Sequence, residues 1–341
     1  MDGDPTRADN SLSAVDPSTE HPSSGASSII AWMQLVRLPN VCTVLADVGA
    51  AFLLVAGGPF PMGRFALVLA AGVALYWSGM VLNDVFDVEK DTIERKNRPI
   101  PSGAITLGAA RKAGWGLLVL GVVLAAASGF VPGVNQQETW FPAAIGVALA
   151  GMIVAYDGPL KPTPIAPAAM GGCRVLSVLL GASPLLSVVD GFPEIPRYLL
   201  AIAFGFGIYV MGITTLARDE AIGGHLMNVR TGFVVMMIGA LMLAVAPGLS
   251  EPAQRAGWAI RPGGQFATLI LLIVSPIALR GFRVQMDPQP AAIGNTIRAA
   301  ILTIIPLAAS FAFLGAGQMW GLVIFALVVP AILLSMHLRV T

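Results

Sequence analysis

The residues best suited to chemistry form the run Asn83-Asp84-Val85-Phe86-Asp87-Val88-Glu89-Lys90-Asp91. Asn83, Asp87 and Asp91 recur at four-residue intervals. On an α-helix each such step drifts by only about 40°, so three oxygen-bearing side chains project from one face. Carboxylates held this close repel one another, and a hard cation relieves the repulsion. Mg²⁺ suits such a column, because one or two carboxylates hold it while water and substrate phosphates complete its shell. The plainer alternative is an acidic helix end running into a solvated loop. Acidic side chains at a helix C-terminus oppose the macrodipole, which weighs against that alternative.

Three further stretches carry polar groups compatible with phosphate. In Arg95-Lys96-Asn97-Arg98-Pro99-Ile100-Pro101-Ser102-Gly103, two prolines and a glycine restrain a loop that holds Arg98 beside the column. The planar fork of an arginine pairs with phosphate oxygens, although a purely topological role is the competing reading. Tyr156-Asp157-Gly158-Pro159-Leu160-Lys161-Pro162 offers a phenol and an ammonium, or is an ordinary turn. Thr214-Thr215-Leu216-Ala217-Arg218-Asp219-Glu220-Ala221 adds a cation and two acids. Asp47 stands alone inside an apolar run, where a carboxylate faces either a cavity or a buried hydrogen-bond partner. Cys42 and Cys173 read as packing residues, and His21, His225 and His337 are too scattered to suggest a site.

The elements that must position these groups are membrane spans. Hydrophobic residues make up 56% of the 341 and charged ones only 11%, too few to solvate a soluble globule of this size. With about 20 apolar residues needed per crossing, spans are expected near 41–57, 65–82, 107–131, 141–156, 166–188, 198–216, 229–246, 265–282, 297–314 and 319–337. The last two are separated by Gly315-Ala316-Gly317-Gln318, so a mere kink there would reduce ten spans to nine. Counted in alternate loops, sixteen Lys and Arg residues, Arg174 among them, fall on one side and only Arg64, Arg197, Arg255 and Arg261 on the other. Basic loops stay cytoplasmic, so both termini and the Asp column are expected on the cytoplasmic face of a multi-pass cell (inner) membrane protein. Glycine spacings such as Gly72…Gly79 and Gly205…Gly212 suit close helix packing in lipid. Residues 1–28, polar and Pro-rich with no apolar core of a signal peptide, read as a disordered cytoplasmic tail; 29–341 read as one transmembrane domain. A net charge of +1 speaks against a nucleic-acid partner.

Taken together, these residues resemble the UbiA-type intramembrane prenyltransferase family. Asn83, Asp84, Asp87 and Asp91 complete its N-D-x-x-D-x-x-x-D motif, and Arg98-Pro99-Ile100-Pro101-Ser102-Gly103 matches the basic-proline loop that follows. Arg37-Leu38-Pro39-Asn40 is similar to its R-x-x-N entry, and Tyr156…Lys161 to its Y-x-x-x-x-K loop. The resemblance implies an all-α bundle of nine to ten spans around a cavity open to lipid. It also implies Mg²⁺ as cofactor, a prenyl diphosphate and an unidentified small acceptor as partners, and the bilayer as surroundings. Carried over, Asn83, Asp84, Asp87, Asp91, Asp219 and Glu220 are the candidate metal ligands, and Asp87, Asp91 and Asp219 the catalytic acids. Arg37, Asn40, Arg98, Tyr156, Lys161 and Arg218 would bind substrate. The family's second motif has two aspartates four apart; here Thr215 precedes Asp219, so Thr215→Asp is expected to raise metal affinity. The wording of residues 214–220 is also similar to a UbiA-like subgroup of bacterial ebo-type gene clusters.

A prenyltransferase is therefore expected. Its rival is a non-catalytic carrier or exporter that binds an isoprenoid or precursor in the same cavity. A CDP-alcohol phosphotransferase, which shares the four-residue Asp period, lacks its upstream D-G-x-x-A-R element here.

Overall fold

In lipid a backbone can satisfy its polar groups only within its own segment, so apolar runs of this length become helices. The computed structural model describes residues 24–133, 137–218 and 226–338, and among them ten helical segments are long and apolar enough to cross a membrane. The helices are α1 (Ser24–Leu35), α2 (Val41–Ala56), α3 (Met62–Phe86), α4 (Val88–Glu94), α5 (Leu107–Phe130), α6 (Phe141–Ala155) and α7 (Ala166–Ala182). Then come α8 (Arg197–Ala217), α9 (Leu226–Val245), α10 (Pro252–Arg255), α11 (Gly264–Met286), α12 (Pro290–Ala316), α13 (Gln318–Ala326) and α14 (Val328–His337). One short hairpin, β1 (Val188–Val189) and β2 (Phe192–Pro193), pairs antiparallel in the connection between α7 and α8.

The ten expected spans are all present. The Gly-rich point near 317 is a true turn: Gly317 takes φ 86°, and α13 folds back along α12. A Cβ at Gly321 would stand 2.7 Å from Phe313 Cβ, so glycine permits that return. The last span breaks at Leu327 between α13 and α14. Pro330 explains the break, since it cannot donate to the carbonyl of Ala326 and its ring crowds it. α14 thus returns beside the Leu38–Asn40 turn that opens the first span.

α2 lies innermost, with α3, α7 and α12 packed around it. Close approach comes from small residues, as expected. Where α8 meets α9, a Cβ at Gly232 would sit 2.8 Å from the Leu216 nitrogen and 2.9 Å from the Gly212 carbonyl oxygen.

Two expectations change. α1 begins at Ser24, inside the segment read as a tail, because Ala31 and Leu35 bury against Val81, Val85, Ile100 and Ile105. Arg174 is not a loop residue; it lies within α7, where a buried acid from α2 neutralises it.

Candidate active site

The Asp column stands where α3 passes into α4, with Asp87 the single irregular residue between them. The helical ladder nonetheless runs through: the Asp87 amide bonds to Asn83 and the Asp91 amide to Asp87. The three side chains therefore keep one face. Asn83, Asp84 and Asp91 are buried, and each acid of the column is met by a cation. Arg98 Nη1 donates to Asp91 Oδ2 at 2.6 Å and to Asp84 Oδ1 at 3.1 Å. Lys161 Nζ pairs with Asp87 Oδ2, and Arg37 Nη2 reaches Asp84 Oδ1 at 3.5 Å.

Local structure explains how these cations arrive. Arg37 sits at φ 47°, ψ 55°, a left-handed conformation that costs a non-glycine residue about 1–2 kcal/mol. This turn, with Pro39 behind it, redirects the chain from α1 into α2 and aims the guanidinium at α3. Arg98 is held by a loop closed by the Ser102 amide on the Arg98 carbonyl and the Ile105 amide on that of Pro99. Lys161 follows a single wide π turn, Tyr156–Leu160, that contains Pro159. Such turns recur at functional sites because they rotate side chains out of the regular register.

That π turn also supplies a residue the sequence reading did not single out. Asp157 is buried, accepts from Asn83 Nδ2 at 2.9 Å, and leaves its second oxygen buried without a partner. A bare buried carboxylate oxygen beside the column is costly unless a cation or donor meets it.

Below the column runs a largely apolar cavity lined from α3 by Gly72, Leu75, Tyr76, Gly79 and Met80. Val44, Leu149, Ile153, Met170, Cys173 and Val210 line it from the other helices. Gly72, Tyr76, Gly79 and Asn83 share one face of α3. The cavity's α3 lining runs from Gly72 to Met80, about 12 Å along the helix that carries the carboxylates, at 1.5 Å per residue. Tyr156, Asp157, Arg174 and Ser177 are its polar wall. Asp47 faces this wall: it pairs with Arg174 and accepts from Ser177 Oγ at 3.3 Å and the Val48 amide at 2.7 Å. The structure shows the buried-partner reading of Asp47: it does not itself line the cavity, but it fixes Arg174, which does.

The structure thus brings together Asn83, Asp84, Asp87, Asp91, Arg37, Arg98 and Lys161, with Tyr156 at the cavity wall. Asn40 stands beside the Tyr76 hydroxyl, which donates to the Arg37 carbonyl oxygen at 3.4 Å. Arg218 goes elsewhere: its Nη1 donates to the Pro164 carbonyl oxygen at 3.3 Å, in a groove shared with Thr215, Asn228 and Thr231. Asp219 and Glu220 lie outside the described residues. Asp157, Arg174, Ser177 and Tyr76 escaped the sequence reading. The one available signal was that Arg174 is a charge within an apolar stretch.

The donor set fits Mg²⁺. It consists of hard oxygens, one of them orphaned and buried. Among the described residues no three acidic, histidine or cysteine side chains converge into a ready-made cage. That suits an ion which keeps its waters and arrives with substrate phosphates.

Comparison with known proteins agrees with this architecture. The family model described as "UbiA prenyltransferase family" matches residues 44–292. A digeranylgeranylglyceryl phosphate synthase of Metallosphaera sedula is 38% identical over 102 residues, 29% of this chain and 35% of that protein. Another, from Methanopyrus kandleri, is 26% identical over 259 residues, 74% of this chain and 89% of its own. The first match spans little more than a third of its relative's length. A UbiA homologue of Archaeoglobus fulgidus, 14% identical, superposes with a TM-score of 0.59 over 87% of this chain and 99% of the other. The same homologue is also known bound to GPP and Mg²⁺. With its model matched across most of the chain and its fold reproduced, the chain belongs to the UbiA prenyltransferase family.

Proposed function

We propose that the protein transfers an isoprenoid chain from a prenyl diphosphate to a small acceptor, with Mg²⁺ at the Asp column. The observation that carries this reading is the shared face of α3: cation–carboxylate pairs at its mouth and an apolar cavity directly beneath. A diphosphate entering there competes for Arg98, Lys161 and Arg37, each now bound to an acid. As those cations turn to phosphate oxygens, Asp87, Asp91 and Asn83 are left to face a cation of their own. When bound, Mg²⁺ neutralises the charge that builds on the departing diphosphate. The residues of the cavity hold the chain dry and extended, so the allylic centre meets the acceptor before water. The C1–O bond breaks with its electron pair leaving on diphosphate. The acceptor's nucleophile bonds to C1 and gives up a proton. Asp219 and Glu220 are proposed as further acids from the loop after α8. The basic-loop asymmetry supports a cytoplasmic N-terminus and a cytoplasmic diphosphate site. The names of the relatives favour an acceptor of the glyceryl phosphate type.

The test is diphosphate release by the purified protein in nanodiscs, with GPP or longer prenyl diphosphates and extracted membrane lipids as acceptors. Release is expected with Mg²⁺ and not with EDTA. Tight Mg²⁺-dependent binding with no release from any donor would favour the carrier reading instead.

A further inference from the structure

We infer that the groove between α11 and α12 binds the phosphate headgroup of an anionic membrane lipid. Arg280 and Arg283, one helical turn apart on α11, and Arg298 with Asn295 on α12 all line this groove. No acid lines it, and none of the three arginines makes an ion pair or hydrogen bond among the described residues. The acid of the connecting turn, Asp287, is engaged by Gln289 Nε2 at 2.9 Å.

Depth separates this cluster from ordinary loop charge. Arg280 lies six residues before the end of α11 at Met286, and Arg298 eight residues after the start of α12 at Pro290. At 1.5 Å per residue these are about 9 and 12 Å inside the helix ends. All three arginines are exposed, and the expected spans end at 282 and begin at 297, so the guanidiniums stand at the headgroup margin, where a phosphate is their natural partner. Orienting the protein by basic loops does not require three arginines converging on one groove. Val284, Ala299 and Leu302 also line the groove, and Leu279 and Phe282 are exposed on α11. An apolar wall beside a phosphate-binding fork suits an acyl chain below a headgroup, whereas a free phosphate has no use for it. Basic pockets between helices on the cytoplasmic side hold anionic headgroups by this chemistry. The groove opens where the eighth span ends and the ninth begins, on the membrane side to which the second span delivers the Asp column.

The experiment uses the full chain in phosphatidylcholine nanodiscs doped with phosphatidylglycerol, read by native mass spectrometry for retained lipid and by thermal unfolding. Phosphatidylglycerol should be retained over phosphatidylcholine and should raise the unfolding midpoint. Arg280→Gln, Arg283→Gln and Arg298→Gln should each weaken phosphatidylglycerol binding about fivefold. Arg111→Gln, which removes an exposed cation elsewhere on the same side, should leave it unchanged. Inorganic phosphate at matched concentration should neither stabilise the protein nor displace the lipid. Unchanged retention in the three variants overturns the inference, as does inorganic phosphate binding as tightly as the lipid. Should Arg280→Gln or Arg283→Gln fail to fold, Arg298→Gln against Arg298→Lys decides, since only the charge-keeping change should retain the lipid.

Discussion

The two ends of α3 each hold an arginine, fully buried at one end and half-buried at the other, and they do opposite things with it. At the start of the helix Arg64 is fully buried, and all its hydrogen bonds end on backbone carbonyls: Val131 at 2.8 Å, Pro184 at 2.5 Å and Gln137 at 2.9 Å. It ties the α5–α6 and α7–α8 connections to the start of α3, and its partners cannot leave. At the other end Arg98 bonds two carboxylates, Asp84 and Asp91, whose own charge invites a competing cation. A cation saturated by backbone is a structural fixture. A cation held by acids that a metal would claim is, on the proposed function, a switchable contact at the reactive end. The chemistry of the partner, more than the degree of burial, tells the two apart.

The largest expected effect falls at the switchable end. Asp87→Asn and Asp91→Asn should each lower Mg²⁺-dependent diphosphate release by about 10²-fold or more, the scale of losing charge stabilisation in a dry site. Thermal stability should stay close to wild type, because Arg98 keeps Asp84 and Lys161 is partly exposed to water. Undiminished diphosphate affinity in both variants would remove the column from the site.

Arg64→Met should reverse that pattern. Three carbonyls lose a charged donor at once, and the expected cost is about 3 kcal/mol or more. The unfolding midpoint in detergent should therefore fall by several degrees, while the folded fraction turns over within about twofold of wild type. A variant as stable as wild type would mean that water serves those carbonyls equally well, and the contrast between the two ends would dissolve.

Arg37→Gly probes both terms at one residue. Glycine relieves the left-handed strain, so stability should rise by about 1 kcal/mol. Removing the guanidinium beside Asp84 should weaken diphosphate binding by about tenfold. Stability and affinity moving in opposite directions is the signature of strain kept for function; a fall in both would assign Arg37 to packing.

How much of this was legible in the sequence follows from the range of each contact. Ten spans and the Asp column are local patterns of hydropathy and of i, i+4 spacing, and both survive in the structure. Arg98 and Lys161 were legible because short restrained loops deliver them. Asp157 and Arg174 were not, since their meaning lies in partners 74 and 127 residues away, Asn83 and Asp47. Arg174 was even counted as loop charge, because nothing in its neighbourhood announces the acid on α2. The start of α1 was missed for a related reason: its polar first turn is helical only because Ala31 and Leu35 find α3 and the Arg98 loop.

The smallest effect is expected where spacing alone misleads. Restoring the family's second motif by Thr215→Asp looks from the sequence like a gain in metal affinity. The structure turns Val210 of α8 to the cavity, and five residues on, about 140° around the helix, Thr215 faces another groove. Its hydroxyl donates to the Met211 carbonyl oxygen at 2.8 Å, and its neighbours there are Pro164, Arg218, Asn228 and Thr231. An aspartate at this position meets Arg218 rather than the Asp column, and an exposed pair of that kind adds little. Thr215→Asp should therefore change Mg²⁺ affinity, measured by titration with a prenyl diphosphate present, by less than about twofold. A rise of tenfold or more would show that the end of α8 turns its Thr215 face to the metal, and would extend the reactive end from α3 to α8.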